Sequence, residues 1–108
     1  MVTSPNKRTL FLAQEGLIDA SATSVENMIT ALQLAIIEAL AVADHYAEWD
    51  SEKEEHVEGW IDELSRLLDA LNAGDIVDPR SAVLSAAQRA TIFDNWFYPE
   101  RAPEVGFG

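Results

Sequence analysis

Residues 57–71 read VEGWIDELSRLLDAL, and within that run Val57, Trp60, Ile61, Leu64, Leu67, Leu68 and Leu71 recur at three- and four-residue steps. At 3.6 residues per turn such spacing gathers all seven on one side of a helix. Glu55, Glu58, Asp62, Glu63, Arg66 and Asp69 take the other side, so this helix is predicted to lay an apolar stripe on a core and keep its acids in water. Asn72, Ala73 and Gly74 supply the stop, since glycine accepts the left-handed conformation that closes a helix. At the other end Ser51 with Glu54, preceded by Asp50, reads as a capping box. A helix is expected over about residues 52–73.

Upstream, Thr23 followed three residues later by Glu26 also fits a capping box, and a helix over about 24–48 should start there. Val25, Met28, Ile29, Leu32, Ile36, Ala39, Leu40, Ala43 and Tyr46 share one face. Leu34, Ile37, Ala41 and Val42 widen the apolar arc beyond a stripe, so this element asks for neighbours on more than one side. Neither proline nor glycine interrupts residues 24–58, and the period runs through in phase. One unbroken rod of about 50 residues, roughly 75 Å long, would satisfy the pattern as well. A bend at Trp49, Asp50 and Ser51 is preferred, because folding back buries each stripe against the other within one chain.

Downstream, Asp78 before Pro79 signals a helix start, with aspartate as the cap and proline where a missing N–H costs nothing. This third helix should run over about 79–97, with Val83, Ala86, Ala87, Ala90, Phe93 and Phe97 on its inner face, until Tyr98 and Pro99 end it. Residues 1–22 contain Pro5 and Gly16 and hold no sustained period. They are expected to form an irregular arm, with Leu10, Phe11, Leu12, Leu17 and Ile18 pinning it to the helices. Residues 99–108 should be an extended tail. The fold class is therefore all-α: a small three-helix bundle built on an antiparallel helical hairpin, its helical domain spanning residues 23–98.

The composition is compatible with that architecture. A chain of 108 residues, 48% hydrophobic and 24% charged, fits one domain with one modest core. There is no cysteine, which removes disulfides and thiolate chemistry and agrees with a reducing cytoplasm. The apolar group after Lys7 and Arg8 is too short for a signal segment, and residues 27–43, with Glu38 as their one charge, are short for a membrane span. A soluble cytoplasmic protein is expected.

Of the net charge of −12, residues 44–63 supply −8: nine acids against Lys53. That field repels phosphates, so direct nucleic-acid binding is not expected, while a partner with a basic surface is. Glu52 and His56 stand four apart, yet no Glu-x-x-His, His-Glu-x-x-His or EF-hand pattern accompanies them. Neither a nucleophile elbow nor a glycine-rich phosphate loop is present. The expectation is thus no enzyme, no cofactor and no metal.

What is left points to binding. Trp49 sits between Glu48 and Asp50, an aromatic ringed by polar groups as at many interface hot spots. Trp96 and Tyr98 belong to a second aromatic cluster. The candidate partner-binding set is Glu48, Trp49, Asp50, Glu52, Glu54, Glu55, Glu58, Asp62, Trp96 and Tyr98. Surplus apolar surface on the first helix further predicts a homodimer. The expected role is a non-catalytic interaction module of the adaptor, assembly-chaperone, antitoxin-like or immunity-like kind. The alternative is an acidic decoy that imitates nucleic acid before a DNA- or RNA-binding protein, as anti-restriction or anti-CRISPR inhibitors do.

Overall fold

A computed structural model describes residues 7–48 and 50–97, with side chains over 10–90 apart from Phe11 and Trp49. Four helices follow one another: α1 (Lys7–Ser21), α2 (Val25–Tyr46), α3 (Ser51–Ala73) and α4 (Pro79–Phe97). No strand occurs among the described residues, so the all-helical class stands. Successive helices pack on one another and α1 closes the ring by packing on α4. This is a four-helix arrangement, not a three-helix one.

The added helix is the main correction, because an irregular arm was expected over residues 1–22. Leu10, Ala13, Leu17 and Ala20 are all buried, and their steps of three, four and three are a helical stripe. Two of the four are alanines, small enough to pass as neutral in the sequence, yet they let α1 approach its neighbours closely. Gly16 does not break the helix, and nothing lies within 4 Å of where a Cβ would stand. Its expense is about 1 kcal/mol against alanine, which packing offsets. Residues 1–6 and the tail at 99–108 lie outside the described residues.

Helix boundaries fall within a residue or two of those expected, and the caps explain the differences. Ser24, not Thr23, caps α2: its hydroxyl accepts from the Asn27 N–H at 3.3 Å. Thr23 instead turns back and donates to the Ala20 carbonyl at 2.7 Å, closing α1. For α3 the cap is Asp50, whose carboxylate accepts from the Lys53 N–H at 3.2 Å, and Ser51 is the first helical residue. Gly74 has φ 75°, and the N–H groups of Gly74 and Asp75 return to the carbonyls of Leu71 (3.2 Å) and Ala70 (3.0 Å). That pair of bonds is the Schellman closure. Asp78 caps α4 by accepting from the Ser81 N–H, also at 3.2 Å.

The chain breaks between Tyr46 and Ser51, where the sequence favours a bend over a rod, and α2 packs on α3. Leu17, Leu32, Val42, Val57, Leu64 and Val83 are the largest fully buried side chains, drawn from all four helices. The inner face of α4 is made of Val83, Ala86, Ala87 and Ala90, small enough for two neighbours to reach its backbone. Trp60 Nε1 donates to the Ala86 carbonyl at 2.9 Å and Gln14 Nε2 to the Ala87 carbonyl at 3.1 Å. Side chains from α3 and α1 thus grip adjacent peptide groups of α4, and the buried indole N–H is satisfied.

Candidate interaction surface

Two surfaces differ from an ordinary solvated exterior. The first lies where α1 and α2 meet. The inner side of α2 buries Met28, Leu32, Ala35, Ala39, Val42 and Ala43, while its outer side shows Leu34, Ile37 and Leu40 at 57%, 61% and 51% exposure. Leu12 and Ile18 on α1 and Val25 at the head of α2 are exposed as well. Apart from Val77 in the turn before α4, every exposed large aliphatic among the described residues belongs to these two helices.

Between α1 and α2 runs a groove of about 260 Å³, floored by Ala13, Gly16, Ala31 and Ala35 and walled by Leu12 and Leu34. Small residues make the floor low. Asn27 and Glu38 also line it, and they stand 11 residues apart on α2, about 16 Å along the axis. Partial burial raises the Glu38 carboxyl above its ordinary range. Desolvation penalises the charged form there, because a partly buried carboxylate loses some of its water.

The second surface is the outer side of α3. Glu52, Glu55, Glu58 and Asp62 are exposed there, one helical turn or so apart. Asp62 pairs with Arg66 at 2.7 Å, and Glu63 with Arg89 of α4. Asp50 and Glu54 are half-buried, and Asp50 is engaged as a cap and by Lys53 at 3.7 Å. Glu48 is exposed in the turn after α2. His56 donates through Nδ1 to the Glu52 backbone carbonyl at 2.8 Å, so the ring addresses its own helix, not the Glu52 carboxylate. Among the described residues no three His, Asp or Glu side chains converge as ligands would. Trp49, Tyr98 and the side chain of Trp96 lie outside the described residues.

Neither Leu12 nor Ile37 stood in the predicted site, although the width of the α2 arc was a sign of them. The missing information was which part of that arc its neighbours leave uncovered. α2 is also 22 residues long, longer than the low-charge run at 27–43, and by length and composition is sufficient to cross a membrane. In the fold, its inner residues lie in the core. Compared with known proteins, the chain matches no protein-family model, no curated protein and no solved structure.

Proposed function

We propose that this chain is a non-catalytic interaction module that holds another protein against its helix faces. The observation that supports this reading is the row Leu34, Ile37 and Leu40, more than half exposed on a helix whose reverse side is fully used in the core. Leaving three large aliphatics more than half in water on one face is unfavourable, at about 1–1.5 kcal/mol for each side chain that burial of the remainder would recover. Contiguous exposed apolar surface of this kind is a feature of contact surfaces. The four-helix frame then serves as a rigid support for that row.

A second reading keeps the outer side of α3 as an acidic decoy for a nucleic-acid groove. Exposed Glu52, Glu55 and Glu58, following one another along the helix, favour it. The two readings diverge with salt. Capture of partners from the source cell on the immobilised chain, with mass spectrometry at low and high ionic strength, tests both. An apolar contact survives high salt and is lost in the double variant Leu34→Asp with Ile37→Asp. A decoy releases its partner as salt rises and yields it to added DNA or RNA, and that result would displace the first reading.

A further inference from the structure

Resting on the interaction-module reading, we infer that the α1–α2 groove receives an amphipathic helix of another protein, one whose aliphatic seam is flanked by lysine or arginine. The shape comes first. The groove follows the helix axes for about 16 Å, the span of three helical turns, which matches anchors at i, i+4, i+7 and i+11 of a guest helix. At about 260 Å³ it falls below the roughly 300–1,000 Å³ that small-molecule sites occupy, and it opens along the exposed Leu12 and Leu34. Gly16 leaves space where a side chain would otherwise fill the floor.

Charge decides the occupant. Residues 10–44 carry five acids, Glu15, Asp19, Glu26, Glu38 and Asp44, and no base. Lys7 and Arg8 precede this span in the first turn of α1. Glu15, Asp19, Glu26 and Asp44 are exposed, and Glu38 lines the groove itself. An apolar seam with acidic borders is complementary to an apolar seam with basic borders. A second copy of this chain would set the same acids against one another, on top of −12 per molecule. An anionic lipid surface meets the same repulsion.

The test uses a fluorescein-labelled helical peptide of about five turns, with leucines at i, i+4, i+7 and i+11 and lysines on both flanks, read by anisotropy at roughly 0.15 M salt, where exposed charges are screened beyond about 8 Å. A control peptide replaces every lysine by glutamate. The lysine peptide should bind the full chain at least ~10-fold more tightly than the control. Gly16→Leu, which fills the floor without a clash, and Leu34→Ser, which lowers the wall, should each weaken it by about tenfold with no fall in melting temperature. Joint Glu55→Gln, Glu58→Gln and Asp62→Asn on α3 should change it by less than about twofold, a control for adventitious attraction to acids.

Binding that follows the α3 substitutions and ignores Gly16→Leu would overturn the proposal. So would equal binding of both peptides, stronger partition into phosphatidylcholine or phosphatidylglycerol vesicles than onto the peptide, or a sedimenting dimer abolished by Leu34→Ser. Should the peptide arm fail while partner capture still depends on Leu34 and Ile37, the occupant is wrong and the module stands. If capture is indifferent to those residues as well, both fall.

Discussion

Helices α2 and α3 are near neighbours in length, 22 and 23 residues, and they pack on each other, yet they meet water in opposite ways. On α3 the apolar residues and the buried residues coincide: Val57, Trp60, Leu64 and Leu71 are inside, Ile61, Leu67 and Leu68 are partly covered, and acids occupy the rest. On α2 they do not, because Leu34, Ile37 and Leu40 face outward. α3 is satisfied by its own chain. α2 has used one side for folding and has another of nearly the same chemistry remaining, and an interaction surface is the economical reading of that excess.

The sharpest way to break this comparison is to place the same charge on both helices. Leu64→Asp buries an unpaired carboxylate at a site with no exposure and should unfold the domain, exceeding the about 2–5 kcal/mol of a leucine-to-alanine change. Ile37→Asp should stay within about 0.5 kcal/mol in urea denaturation followed by circular dichroism. Equal losses would mean that Ile37 is covered. Next in size, Trp60→Ala should remove about 3–5 kcal/mol, whereas Trp60→Phe should remove about 1 kcal/mol with the bond to Ala86.

Caps and glycines give smaller effects that sharpen the boundaries of the two helices. Asp50→Ala should lower stability by about 1 kcal/mol and Ser51→Ala by a few tenths, in keeping with Asp50 as the cap of α3; the reverse order in the same urea titration would restore the serine. Gly16→Ala and Gly59→Ala should each raise stability by roughly 0.5–1 kcal/mol, since both Cβ positions are open. The smallest effect concerns Glu38. Its folded pKa lies above the unfolded one, so its contribution is fully present below the unfolded pKa and is lost as pH rises through the folded value. Glu38→Gln should raise the melting temperature near pH 7 and leave it nearly unchanged near pH 4, about the ordinary carboxylate range.

Much of this architecture is legible in the order of residues, because helical periodicity and end chemistry are local. The stripe of α3, its glycine closure, the Asp78 cap with Pro79 behind it, and the acidic outer face all follow from spacings of three or four residues that any isolated segment already contains. The caps at Ser24 and Asp50 were missed by one residue, since two adjacent hydroxyl or carboxyl groups compete and only the arriving backbone direction selects between them. Helix α1 was hidden for a different reason. Alanines at 13 and 20 and a glycine at 16 carry little hydrophobic signal, and the burial of the two alanines shows only when the neighbouring helices are in place.

The uncovered apolar face of α2 belongs to that second category. That α2 has too many apolar residues is a property of its sequence; which of them remain uncovered depends on where α1 and α3 lie around it. Periodicity assigns a face to each residue, but burial is a relation between elements, and only their packing decided that Leu32 is core while Leu34, two positions on, meets the solvent. The sequence determined the helices and the sign of their charge. The tertiary structure decided which apolar side was left uncovered, because covering one face of a helix is the work of its neighbours.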